Sequence, residues 1–376
     1  MQRYLIFFQN ILFFICFFLL LQEKTNHYFM KQPNMPILIT IGIPLYNAEL
    51  YIANTLESII CQEIDNIEIL IVDDCGTDDS INIVKRIQSE HSLENTIRII
   101  KHSSNKGVAE ARNTIIREAT GKYLFFIDAD DIVSKGAISS LYSKAEFYQA
   151  EAVFGSFYIS KNNVIEEFRK LPDLVLNGED QLASYFYNGF KDNILCSTCN
   201  ILLLRDFINK YNLTFPSLNY AEDLLFDYRM FPLIQKAVLT SDFTYTYITH
   251  PNSLSNYQSR NTIDINEAYR ALYISKIIKD TFYGLSDKKY FPNKCAKDMK
   301  QILYYICGII KHRKQLNGFI SDKELCLAIK HPVPLSQILS FKEKKNINLF
   351  FYFLGILPSK LSIFIITCIG KKKEFI

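Results

Sequence analysis

The chain has 376 residues, room for two to three folding units of about 100–200 residues each. Hydrophobic residues are 49% and charged residues 22%, so a core can form and global disorder is excluded. A net charge of +3 argues against a partner rich in phosphate along a duplex, and hence against nucleic acid.

Tyr4 to Leu21 is a run of 18 uncharged residues, about 27 Å long as a helix and just enough to cross a bilayer core. Three readings of residues 1–35 stand: a membrane anchor, a signal peptide, or an extension ahead of a later start at Met30 or Met35. From Pro36 onward short apolar runs alternate with helical patterns. Ile37–Ile43, Ile67–Val72, Ile97–Ile100 and Tyr123–Ile127 read as strands. Tyr51–Cys61, Ser80–Ile87, Val108–Ala119 and a segment from about Lys135 to Ala150 read as helices. Four β-α repeats with near-continuous apolar strands predict an α/β fold, a mostly parallel sheet between helix layers. In such sheets ligands bind beyond the carboxyl ends of the strands. The segments Pro44–Asn47, Asp73–Asp74 and Asp128–Asp131 should therefore rim one crevice.

The region after about residue 260 is helical by pattern. From Phe341 to Ile376 it holds seven lysines and two glutamates, interleaved with the apolar blocks Leu349–Leu354 and Leu361–Cys368. Neither block is long enough to span a bilayer. Together they suit an interfacial helix on an anionic leaflet, or else a buried helical hairpin with a solvated basic tail. The nine cysteines are odd in number and irregularly spaced, which reads as reduced thiols in a cytosolic compartment. Cys196 and Cys199 form a C-x-x-C with no second ligand pair to complete a zinc site.

No G-x-G-x-x-G follows the first strand and no G-x-x-x-x-G-K-[ST] occurs, so the familiar nucleotide loops are missing. Carboxylate takes their place. Asp128, Asp130 and Asp131 crowd the end of an apolar strand, and like charges so close call for a counter-charge. A hard divalent cation, Mn2+ or Mg2+, shared with the phosphates of a ligand would supply it. Helix capping is the plainer explanation for any one of these aspartates.

Taken in order, Ile43-Pro44-Leu45-Tyr46-Asn47-Ala48-Glu49, Ile71 to Ser80, Asn105 to Asn113, Phe126 to Asp131 and Ala221-Glu222-Asp223-Leu224-Leu225-Phe226 resemble the motifs of glycosyltransferase family 2, which has the GT-A fold. The resemblance runs from about Pro36 to Ser255. It implies a catalytic domain over 36–260 and a helical, basic, membrane-associated region over 261–376. The implied activity is inverting transfer from a nucleoside-diphosphate sugar, a UDP-sugar above all, to a hydroxyl of a glycan or lipid-linked acceptor in bacterial polysaccharide synthesis. The implied location is the cytoplasmic face of the plasma membrane, peripheral or singly anchored.

By the same resemblance Pro44, Tyr46, Asn47 and Glu49 belong to the nucleotide-sugar site, with Tyr46 offering a stacking face. Asp74 matches the carboxylate that accepts from the base ring N–H, with Asp73 beside it. Arg112 matches an arginine near the nucleotide and the acidic cluster. Asp128 and Asp130 match a D-x-D, with a ribose contact from one of them and metal coordination from Asp130 or Asp131. His250 sits where some relatives carry a late histidine near the metal. Asp223 matches the general base. Two departures stand out: Cys75 interrupts the usual G-S-T-D, and Ile201 occupies a position where many relatives have lysine. The other readings of an acidic α/β crevice are a nucleotidyltransferase and a receiver-like phosphoacceptor module. The first class relies on a glycine-rich basic loop after its first strand, where this chain has an acidic, glycine-free one.

Overall fold

The computed structural model describes residues 36–161, 164–189, 198–218, 220–249, 263–316 and 319–375. The hydrophobic stretch of residues 4–21, Cys196 and His250 lie outside them. The chain divides into two compact units. One is an α/β unit formed up to residue 175 and from 199–214 and 237–249. The other is a helical unit of 176–198, 215–236 and 250–376.

In the α/β unit the chain runs β1 (Ile39–Leu45), α1 (Ile52–Ile60), β2 (Ile67–Asp73), α2 (Ser80–Glu90), β3 (Ile97–Lys101), α3 (Val108–Glu118) and β4 (Tyr123–Phe126). There follow β5 (Ile132–Val133), α4 (Ala137–Tyr148), β6 (Ala152–Lys161), β7 (Val164–Arg169), β8 (Leu174–Asn177), β9 (Ile201–Leu204), α5 (Arg205–Lys210) and β10 (Lys236–Ile248). The sheet order is β3-β2-β1-β4-β9-β6-β10-β5. Its first four strands are parallel. Strand β9 then runs antiparallel to both β4 and β6, so the sheet is mixed from that point.

All seven residues of β2 are buried, as two helix layers require. Right-handed crossovers put α1 and α2 on one face and α3 on the other. Strand order reverses between β1 and β4, which makes their carboxyl ends the switch point. Strand β1 continues through Pro44 to Leu45, paired with Val72 and Asp73. Pro44 is tolerated because Gly42 O receives Ile127 N while Leu45 O receives Asp74 N. The alternation turns the Pro44 nitrogen toward the β4 side, past the last paired residue there, Gly42. Gly42 also sets how near α3 can lie: a Cβ there would stand 2.3 Å from Ile115 Cγ2.

The helical unit contains α6 (Glu222–Met230), α7 (Ile265–Asp280), α8 (Phe291–Lys311), α9 (Asp322–Ile329), α10 (Leu335–Ser340), α11 (Lys345–Leu354) and α12 (Ser359–Lys372). Asp264 with Glu267 and Ser321 with Glu324 form capping boxes that start α7 and α9. Leu218, Leu225 and Tyr228 are buried in the same cluster as Ile274, Met299, Ile306, Ile329 and Ile366. That apolar packing draws 215–236 into the helical unit. The division therefore falls elsewhere than the single break at 260 expected from the sequence: Asp223 belongs with the C-terminal helices.

Candidate active site

The first tips to consider are those of β1 and β2. Tyr46 follows β1 and is 50% exposed, leaving its ring free to stack on a planar ligand. Asn47, in the left-handed region at φ 48°, accepts Thr77 N–H on its side-chain oxygen at 2.8 Å. The Glu49 carboxylate accepts Asp79 N–H at 2.9 Å, and Glu49 N–H donates to Asp78 Oδ2 at 2.8 Å. Asn47 and Glu49 thus sew the loop after β1 to the loop after β2. Burial opposes ionisation of Asp78, but the Ser80 hydroxyl and the Glu49 and Ser80 amides outweigh it and lower its pKa.

Asp73 and Asp74 are both almost fully buried. Asp73 Oδ1 accepts Gly76 N–H at 3.1 Å, and Lys101 Nζ lies 3.8 Å from Oδ2. Asp74 Oδ1 meets His102 Nδ1 at 2.6 Å and Lys106 N at 2.9 Å, while Oδ2 accepts Gly107 N–H at 2.7 Å. A carboxylate can only accept, so His102 carries its proton on Nδ1. Its Nε2 lies 2.9 Å from the Thr114 hydroxyl, and Thr114 Oγ1 accepts Arg117 at 3.0 Å. Asp74 therefore locks the loop between β3 and α3 and places a negative charge at the N-terminus of α3. Three protein donors thus meet a carboxylate that is 3% exposed and has about four acceptor positions.

The tip of β4 is different. Arg112, buried on α3, donates from Nη2 to Asp128 Oδ1 at 2.7 Å. The Asp128 side chain is 34% exposed. Asp130 is half-buried beside it. Burial and the Asp128 charge push the Asp130 carboxyl up to about 7, with Arg112 pulling the other way. Asp131 faces inward, 1% exposed. Its Oδ2 accepts the Tyr245 hydroxyl at 2.6 Å and its Oδ1 accepts Ile248 N–H at 2.8 Å. Burial, then Asp128 and Asp130, raise its pKa well above the ordinary carboxylate range. Asp131 is an anchor for β10, which leaves Asp128 and Asp130 as the carboxylates presented at this tip.

Tyr245 and His102 are working parts that the sequence did not single out. Tyr245 is one tyrosine of an alternating strand, and only its placement opposite Asp131 marks it. Cys199 is a fully buried thiol, its pKa raised by burial and by Asp128. Ile201 is buried in β9 opposite Phe154, a position with no room for an exposed lysine head. In the helical unit, Asp223 lies in the first turn of α6, partly exposed, and its Oδ1 accepts Leu224 N–H at 2.7 Å. Glu222 beside it is buried.

Comparison with known proteins bears on the family and the fold. The model for "Glycosyl transferase family 2" matches residues 40–211. Over 274 residues the chain is 28% identical to the uncharacterized glycosyltransferase EpsJ of Bacillus subtilis (strain 168), covering 72% of this chain and 75% of that protein. It is 34% identical over 182 residues to the UDP-Glc:alpha-D-GlcNAc-diphosphoundecaprenol beta-1,3-glucosyltransferase WfaP of Escherichia coli, covering 48% of this chain and 64% of that one. The crystal structure of S. aureus TarS 1-349 in complex with UDP-GlcNAc superposes with a TM-score of 0.58 at 15% identity, covering 85% of this chain and 90% of that one. At that identity the likeness speaks for the fold, a GT-A-type mixed α/β sheet with C-terminal helices. Residues 40–211 thus match glycosyltransferase family 2, and the relatives together support a nucleotide-sugar-dependent transferase of the bacterial polysaccharide type.

Proposed function

We propose that the chain transfers a sugar from a UDP-sugar to a hydroxyl of a glycan or lipid-linked acceptor, with inversion at the anomeric carbon and with help from a divalent cation. The observation that carries this reading is the tip of β4: two presented carboxylates, Asp128 and Asp130, share one arginine at the switch point of the sheet. UDP is favoured because WfaP is named for UDP-Glc and TarS was solved with UDP-GlcNAc and with UDP. The lipid-linked acceptor rests on the diphosphoundecaprenol in the name of WfaP.

The residues fit a hard cation. Carboxylate oxygens suit Mn2+ or Mg2+, and Asp128 and Asp130 are presented together at this tip beside Arg112. Among the described residues no group of three or more His, Cys, Asp or Glu could hold a metal, so the proposal needs phosphate oxygens of the donor as further ligands. Asp130 would hold it with Asp128 adjacent, while Asp131 stays committed to β10. When bound, the ion would supply Lewis-acid stabilisation of charge on the diphosphate leaving group.

The chain's own residues do the rest. Tyr46 stacks on the base. Arg112 orients Asp128 toward the donor. Asp223 takes the proton of the acceptor hydroxyl, a task worth roughly 10²–10⁴ in rate for a positioned base. Attack from the face opposite the leaving group inverts the centre, as in inverting glycosidases. A panel of UDP-, GDP- and dTDP-sugars, scored by nucleotide release with and without Mn2+, tests the proposal. Release of UDP only with acceptor present supports it. Release of inorganic diphosphate from a nucleoside triphosphate would favour a nucleotidyltransferase instead.

A further inference from the structure

The two last helices bury one side and leave the other bare. Helix α11 turns Asn348, Phe351 and Leu354 inward, and α12 turns Ser362, Ile366 and Gly370 inward. Both pack on α8 and α9, so their remaining faces share the outer side of that layer. The Ser362 hydroxyl donates to Leu354 O at 2.7 Å and clips the hairpin. Asn348 donates to Pro292 O at 3.0 Å and pins α11 to the start of α8.

The outer side carries Phe350, Phe353, Ile356, Leu361 and Phe364, from 39% to 65% exposed. Five large apolar side chains turned to solvent within fifteen residues exceed the scattered surface apolar residues of ordinary proteins. Around them lie Lys342, Lys344, Lys360, Lys371, Lys372 and Lys373, all exposed. Of the two glutamates in this stretch, Glu343 is already held by the Asn293 amide. Lys300, on α8, has its pKa lowered by burial and by Lys344 and Lys373, so basic groups from three elements converge.

We propose that the outer face of the α11–α12 hairpin is a membrane-docking surface that rests on an anionic lipid leaflet, the phenylalanines in the interfacial zone and the lysines among the headgroups. The charge chooses this occupant. A second copy meeting the same face would set one lysine rim against another. An anionic leaflet complements the rim at about 1 kcal/mol per lysine and buries the apolar centre. The hairpin lies on the leaflet without crossing it, because among the described residues no helix is long and apolar enough to span a bilayer. This assignment is independent of the transfer chemistry.

The chain has no tryptophan, so a single Phe364→Trp change gives a local reporter in the full-length protein. Its emission should shift to the blue with equimolar phosphatidylcholine–phosphatidylglycerol vesicles and stay put with phosphatidylcholine alone. Phe147→Trp, at an exposed position of α4 in the α/β unit, should not shift with either. Adding Lys371→Gln, Lys372→Gln and Lys373→Gln to the Phe364→Trp reporter should weaken vesicle affinity about 100-fold. Anionic vesicles that bind the protein without moving the emission of the Phe364→Trp reporter would overturn the proposal and assign binding to another part of the chain. A blue shift that grows with protein concentration in the absence of lipid would overturn it in favour of self-association.

Discussion

The two units each bury charge, and they do so in opposite ways. In the helical unit Lys294 and Asp298 are wholly buried and meet one-to-one in a direct ion pair. Lys294 also donates to Thr281 Oγ1 at 2.8 Å and sits over the rings of Tyr187, Tyr228 and Phe282 at 5.2, 4.6 and 5.2 Å. Burial raises the Asp298 pKa and Lys294 opposes it. This is a closed pair: charge balanced, donors used, no outlet to solvent. In the α/β unit the tip of β4 crowds the carboxyl groups of Asp128, Asp130 and Asp131, with Arg112 paired to Asp128, and burial and mutual repulsion oppose ionisation of Asp130 and Asp131. A balanced buried pair is a part of the architecture. A crowded carboxyl cluster at a sheet switch point is an offer to a ligand.

The sharpest way to break this contrast is to remove the chemistry and leave the fold. Asp223→Asn should retain its thermal transition and UDP binding while turnover falls by about 10³. Full turnover would take Asp223 out of the mechanism. Asp130→Asn should follow, with turnover lower by about 10² and the response to added Mn2+ flattened. Stability should hold or rise, since a charge that repels Asp128 is gone. A large loss of stability would mean that the cluster is structural after all.

The converse holds for Lys294→Met. Breaking a buried pair costs about 3–5 kcal/mol, read as a lower urea midpoint. The double change Lys294→Met with Asp298→Leu should recover much of that loss, because no charge is left stranded.

Acid should separate the units more gently. His331 accepts Val333 N–H on Nδ1 and meets Asn348 Oδ1 through Nε2, both at 3.1 Å. Burial lowers its pKa from 6.5. Since the unfolded chain binds that proton more readily, this contribution is full above 6.5 and fades as pH falls toward the folded value. Glu68 in β2 behaves like an ordinary paired carboxylate. Burial opposes its ionisation, but Thr40, Thr120 and Arg98 outweigh burial and bring its pKa below 4.5. Its contribution is full above 4.5 and is lost as pH falls through the folded value. Amide exchange should therefore quicken first in α8–α11, and only at lower pH in β1–β4. The smallest effect is at a cap: Ser321→Ala should cost about 1 kcal/mol with turnover unchanged.

What the sequence made legible follows physical range. The four β-α repeats were readable because each is encoded within some ten residues by apolar period and flanking caps, and their bounds agree to within a few residues. The acidic tip was readable because its members are contiguous. Partnerships across the fold were not. Asp131 looked like a metal ligand as much as Asp130 did, until Tyr245, 114 positions on, claimed it. Asp74 reads in the sequence as a contact for the base, and its bonds to His102 and to the turn at Lys106–Gly107 are visible only in the fold. The break at 260 failed for the same reason: the apolar faces of 215–236 say that they bury something, and only the tertiary structure says what.

The missing side chain at Gly42 has a consequence for how such a transferase can drift. Helix α3 rests on β1 at a spacing set by a methyl group that is not there, and the same helix carries Arg112 to Asp128. A side chain at position 42 would press on Ile115, one turn along the helix from Arg112. Scaffold spacing and electrostatic balance are thus geared together, and neither can be retuned in evolution without disturbing the other.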